Sequence, residues 1–215
     1  ITLYRFNDTG EQIQRLESGD RVARDQRPLR HPHIVFPLNL PAGETSSLLL
    51  RVDSANIVDM PAMLYSPEGF RHHQARSSLV SGFYYGIVAI MCLYNLLIFF
   101  SIRDRSYLYY VLYLASFGLL ILLRNGLGLQ WLWPDAPWWN HHAQPVLHWL
   151  TMGLSTLFAV HFLGLPENNP RLARFLRGMS ATELIVAPLT LTHFDLGLRL
   201  GSFLLLPWTL VVMAA

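Results

Sequence analysis

Asn95, His148, His161 and Glu183 are polar side chains, able to hold a proton or a hydrogen bond, set within the apolar half of the chain. A carboxylate in hydrocarbon costs a few kcal/mol unless it is protonated or paired, so Glu183 is the leading candidate for an intramembrane functional group. Asn95 reads first as a hydrogen bond between helices, with ligand binding as the alternative, and His148 and His161 fall near span ends where water reaches them. Asn95, Glu183 and His148 are therefore the candidate coupling residues. Arg124 sits at a span end, where its long side chain can snorkel to the interface as an anchor.

Four of the six tryptophans, Trp131, Trp133, Trp138 and Trp139, crowd into one segment with Pro134 and Pro137. Indoles prefer the headgroup level, so this segment reads as an interfacial aromatic belt, with ligand stacking on the rings as the alternative. Arg21, Arg24, Arg27 and Arg30 recur every third position with Asp20 and Asp25 among them. They suit either an anionic or sugar ligand or a solvated loop with local ion pairs, and the second is the commoner outcome. His31 with His33 and His72 with His73 lack a Cys, Asp or Glu at ligand spacing, so no metal site is expected. The Asn7-Asp8-Thr9 sequon is too short a match to carry weight. Neither a G-x-S-x-G elbow, an H-E-x-x-H helix, a P-loop nor a G-x-G-x-x-G turn occurs, so no catalytic residue and no cofactor is assigned.

The elements that hold these residues follow from composition. The 215 residues are 52% hydrophobic and 14% charged, with a mean hydropathy of +0.31. A soluble domain carries about 25% charged residues. The deficit is uneven, because 18 of the 30 charged residues lie before residue 79. A net charge of +2, with no clustered basic face, does not suit nucleic acid. Cys92, the single cysteine, rules out an intrachain disulfide and falls in an apolar run. Nothing at the start reads as a signal peptide, and the chain reads as a fragment cut at both ends.

Residues 1 to about 66 show short β segments divided by turn chemistry: 1–6, 12–16, 33–40, 47–53 and 61–66, about five strands in all. So small a sheet reads as the C-terminal part of a β-sandwich, giving residues 1–70 as a sensor domain and 71–78 as a juxtamembrane linker. Residues 79–215 then read as the first five helices of a transmembrane bundle, with spans at about 79–102, 107–123, 146–165, 179–194 and 200–215. Arg103, Arg105, Arg171, Arg174 and Arg177 lie in the first and third loops against Arg124 and Arg199 in the alternate ones. This places the first and third loops in the cytoplasm and the β region outside.

The stretch LYNLLIFFSIRDRSYLYYVLYLASFGLL, residues 93–120, carries Tyr94-Asn95 late in a span, the Arg103-Asp104 hairpin and the Tyr107-Leu108-Tyr109-Tyr110 entry to the next. There the chain resembles the bacterial seven-transmembrane receptors with diverse intracellular signalling modules, and NGLGLQWLWPDAPWWN, residues 125–140, resembles their second loop. The stretch from Ser18-Gly19-Asp20 through RHPHIVFPLNLPAGETSSLLLRVDS to MLYSPEGF is similar to the end of their type 2 extracellular domain, a jelly-roll sandwich thought to resemble carbohydrate-binding modules. The resemblance implies a sensor in the bacterial inner membrane with its N-terminal domain in the periplasm. It also implies a cytoplasmic output module in cis that this chain lacks, commonly a diguanylate cyclase or a histidine kinase. A homodimer is among the expected states.

Three functions compete on these grounds. A receptor, whose expected partners are the lipid bilayer and an extracellular small molecule such as a carbohydrate, needs a bundle with two arrangements that the ligand biases. An intramembrane enzyme lacks every motif sought above. A transporter would need a polar path between related halves, and no internal repeat is visible.

Overall fold

Alternation of apolar and polar residues at the N-terminus produces a sheet. The computed structural model describes residues 1–19, 22, 24–53, 61–192 and 197. Thr2–Phe6 (β1) buries Leu3 and Arg5 and is flanked on both sides by antiparallel partners, Gln12–Glu17 (β2) and Ser47–Arg51 (β3). Leu3 pairs with Leu16 on one side and with Leu50 on the other. Between β1 and β2 the Asn7 carboxamide oxygen accepts from the Thr9 hydroxyl at 2.8 Å and the Glu11 N–H at 2.7 Å. Gly10 there adopts φ +81°, as such a turn requires.

Three strands form among the described residues, against about five expected. Segments 33–40 and 61–66 run without ladder bonds. Pro32, Pro37, Pro41 and Pro61 supply no N–H, which keeps these stretches out of a ladder. Side chains hold the first of them instead. Buried Arg5 donates from Nη1 to the Asn39 carbonyl and from Nε to the Ser46 hydroxyl at 3.2 Å. Arg27 similarly ties its loop together, donating to the carbonyls of Gly19 at 2.7 Å, Val22 at 3.2 Å and His31 at 3.3 Å. Arg30 and Asp25 form an exposed ion pair at 2.9 Å, the solvated-loop outcome, while Asp20 and Arg21 lie outside the described residues.

The helices begin where capping chemistry places them rather than where hydropathy rises. Ser66 caps Pro67–Ile102 (α1), its hydroxyl accepting from the Gly69 N–H at 3.1 Å with Pro67 in the first turn. Residues 71–78, expected as the juxtamembrane linker, are helical and continue into the apolar part of α1. At 1.5 Å per residue α1 is about 54 Å long, well beyond a 30 Å hydrocarbon core, so its Arg71 to Arg76 end can stand in water. Arg103, at φ +62°, and Asp104 alone separate α1 from Arg105–Arg124 (α2). Asp104 accepts the Ser106 N–H at 2.8 Å. That bond, with a second from the Ser106 side chain, holds its carboxyl below the usual carboxylate range. A connection this short makes α1 and α2 antiparallel neighbours, in contact where Cys92 Sγ lies 4.0 Å from the Val111 carbonyl.

A single π-type turn, Gly128–Leu132, follows α2, and Pro137–Phe162 (α3) comes next. The short Leu165–Asn168 (α4) then leads to Pro170–Leu189 (α5), which Asn169 caps by accepting the Leu172 N–H at 3.2 Å. The expected polar loop over 166–178 is thus mostly helix, and Arg171, Arg174 and Arg177 lie on the first half of α5. Trp138 and Trp139 likewise open α3 and do not lie in a loop. The fifth span, 200–215, and the last residues of the fourth lie outside the described residues.

The chain divides into two compact units. One combines residues 1–64 with 123–141, and the other combines 65–122 with the residues after 141. In the second, Val160 of α3 packs with Leu165, Ala173 and Leu176 in a buried apolar cluster. α1 and α2 are long and apolar enough to cross a membrane. On α1, Phe83, Ile87, Ile90 and Leu97 each stay more than 60% exposed. Each such side chain left in water forgoes about 1.5–3 kcal/mol, so α1 suits lipid rather than the interior of a soluble domain. α3 and α5 carry more polar residues and do not reach the same composition, and their buried hydroxyls face neighbouring helices.

Candidate coupling site in the helical bundle

Glycine and small hydroxyl residues let α3 and α5 approach closely. Ser180 donates to the Gly153 carbonyl at 2.8 Å across the two helices. A Cβ at Gly153 would stand 2.8 Å from Leu184 Cδ2 and 3.3 Å from the Ser180 carbonyl, so only glycine fits without displacement. One turn further along, the Thr156 hydroxyl lies 3.0 Å from the Met152 carbonyl and 3.4 Å from Glu183 Oε2. Thr156 is fully buried and Glu183 is 5% exposed. Among the described residues no cation pairs with Glu183. A hydroxyl has one hydrogen, so the Met152 carbonyl and the carboxyl compete for the same donor.

Further hydroxyls link α2 to α3. Thr151 lies 3.2 Å from the Ser116 hydroxyl and donates to the Leu147 carbonyl at 2.7 Å, while Ser116 donates to the Tyr113 carbonyl at 2.8 Å. Tyr110 packs against Phe158 with ring centroids 5.2 Å apart, and Tyr109 against His161 at 4.6 Å. Trp149, 2% exposed, donates from Nε1 to the Gly197 carbonyl at 3.2 Å.

The three candidate coupling residues do not converge. Asn95 is buried, but its amide donates to the Met91 carbonyl at 2.8 Å, within α1. The expected bond between helices is replaced by this one because the carbonyl one turn back lies within reach of the short carboxamide. His148 is half-buried on α3, beside Trp149. Glu183 meets another helix through the Thr156 hydroxyl. The Gly153–Ser180 contact and the Thr156 partner went unread in the sequence; the spacing of small residues Gly153 and Thr156 on α3 against Ser180 on α5 was the available signal.

The tryptophan segment folds with the β unit. Trp133 Nε1 donates to Asn140 Oδ1 at 3.1 Å, and its ring meets Trp139 edge-on at 6.3 Å. Trp131 and Trp138 remain 71% and 60% exposed. No group of three metal-ligating side chains occurs among the described residues.

A small antiparallel sheet precedes two helices long and apolar enough to cross a membrane. Residues 77–215 match the family described as 7TM diverse intracellular signalling, and residues 1–66 match the family's extracellular 2 domain. The chain belongs to this 7TM family, the membrane receptors that signal to intracellular modules. No curated protein and no solved structure matches the chain.

Proposed function

We propose that this chain is the input half of a multi-pass receptor of the bacterial inner membrane, with residues 1–70 as its periplasmic sensor domain and 79–215 as the first five helices of a seven-helix bundle. Occupancy of the β domain shifts the bundle between two arrangements and so sets the activity of a cytoplasmic module in cis. The observation that carries this reading is that residues 123–141, which join α2 to α3, fold in one unit with the β domain. The Arg103-Asp104 hairpin lies at the other end of α2 and, with Arg171, Arg174 and Arg177, favours the cytoplasmic side.

The ligand we favour is a small molecule of the carbohydrate class, on the resemblance of the extracellular domain to sugar-binding sandwiches. The output we favour is a diguanylate cyclase, with a histidine kinase as the alternative. Trp131, Trp133, Trp138 and Trp139 act as an interfacial belt, because their segment joins membrane helices and exposes three indole rings. Asn95, His148 and Glu183 are proposed to contribute to coupling, with Glu183 foremost because its contact reaches a second helix. A homodimer is compatible with this reading.

Glu44→Cys and Asn168→Cys, each in a Cys92→Ala background, test the topology. A membrane-impermeant maleimide is expected to label the first in cells with a permeabilised outer membrane and the second only after lysis. Equal labelling of both would overturn the proposed orientation.

A further inference from the structure

Gly126 caps α2, with its N–H donating to the Leu123 carbonyl at 2.9 Å, and it adopts φ +74°. A Cβ added there would drive into the backbone carbonyl of Pro32, with the Pro32 Cα only 3.2 Å away. Two residues on, a Cβ at Gly128 would collide with the Leu123 side chain and stand 3.1 Å from Asn140 Oδ1 and 3.4 Å from Trp133 Cζ2. The segment from Leu123 to Asn140 is thus one packed cassette. Glycine lets its backbone press against the backbone of the β domain at Pro32, in the loop that Arg27 organises through the neighbouring His31 carbonyl.

We propose that Gly126 and Pro32 form the clamp through which the β domain is fastened to the ends of α2 and α3. The cassette terminates α2 at Arg124 and starts α3 at Pro137. A displacement of the loop around Pro32 is therefore handed to two helices at once, and Gly126 is a positioning residue for that transfer. The proposal rests on the receptor reading, but its test reads structure rather than output, so the two can fail separately.

The test is hydrogen exchange on the full chain in lipid nanodiscs. Gly126→Ala combines left-handed strain with the collision at Pro32. Gly10→Ala, at φ +81° with nothing within 4 Å, carries the strain alone. The clamp predicts that amides of residues 29–34 exchange at least tenfold faster in Gly126→Ala and at the wild-type rate in Gly10→Ala. Unchanged exchange at 29–34 in Gly126→Ala, or equal acceleration in both variants, would overturn it. A photo-crosslinking phenylalanine at Leu127 keeps Gly126 intact and covers the case in which Gly126→Ala does not fold. Crosslinks to the 29–34 peptide support the clamp, and crosslinks elsewhere alone contradict it.

Discussion

Valine at Gly153 is expected to lower the unfolding midpoint of the protein markedly, while alanine does much less. Any Cβ at this position meets Leu184 at 2.8 Å, but the end of a leucine side chain can rotate aside for one methyl group. The two γ-methyls of valine must also clear the backbone of α5, where the Ser180 carbonyl would stand 3.3 Å from Cβ. Overpacking of this kind costs about 1–3 kcal/mol. Separation of the helices also breaks the Ser180–Gly153 bond, which contributes about 0.6 kcal/mol in a bilayer. Thermal unfolding in detergent can be followed through Cys92, the one native thiol, half-buried against α2. A wild-type midpoint for Gly153→Val would show that α3 and α5 do not pack here.

Trp149→Ala is expected to be the most damaging single truncation in the bundle. The indole is 2% exposed and its N–H holds the Gly197 carbonyl, 48 residues along the chain. Deleting it leaves a cavity and removes the indole donor from the Gly197 carbonyl. Large-to-small changes of this type cost roughly 3 kcal/mol at the low end for tryptophan, the appropriate end where the surroundings of the unfolded helices are themselves apolar. Trp149→Phe separates the two contributions, because it keeps most of the ring volume and loses only the donor. The expected order of unfolding midpoints is wild type, then Trp149→Phe, then Trp149→Ala. If alanine and phenylalanine were equal, packing of the ring would have no part in holding α3.

How far the sequence revealed this arrangement differs from element to element. The uninterrupted apolar run ending at Ile102 and the two-residue polar break after it define α1 and α2, since lipid leaves helices as the permitted backbone there. Hydropathy marks where a helix enters hydrocarbon, however, and not where the helix begins. Ser66-Pro67 and Asn169-Pro170 are capping signatures, and they move the starts of α1 and α5 ahead of the apolar runs by 12 and 9 residues (79 − 67 and 179 − 170). In the β domain the Asn7 to Gly10 turn was legible because its residue types admit few other conformations. The segments at 33–40 and 61–66 read as strands from their apolar character, but a strand exists only where a neighbour supplies ladder bonds.

The candidate site was legible by residue type and not by partnership. Glu183 stands out because a carboxyl is expensive at depth wherever it lies. Its contact with Thr156 links two helices at positions 27 residues apart, and no local pattern announces it. Asn95 shows the converse. Its type suggested a bond between helices, while the Met91 carbonyl of its own helix was nearer.

Contacts inside the bundle are proposed to set the resting output of the receptor, and Glu183 is the residue at which this is best measured. A contact made in one of two bundle arrangements biases their equilibrium by its own energy, on the order of 0.6–2 kcal/mol, which is about a threefold to thirtyfold change in population. Glu183→Leu removes the carboxyl that faces Thr156, Glu183→Gln keeps an acceptor there, and Asn95→Leu alters a bond confined to α1. The measurement is basal output of the full-length protein at matched membrane expression, as cyclic dinucleotide or autophosphorylation according to the module it carries. Expected are an output at least threefold away from wild type for Glu183→Leu, near-wild-type output for Glu183→Gln, and the smaller change for Asn95→Leu. Wild-type output from Glu183→Leu would contradict the proposal and reduce the Thr156–Glu183 contact to packing.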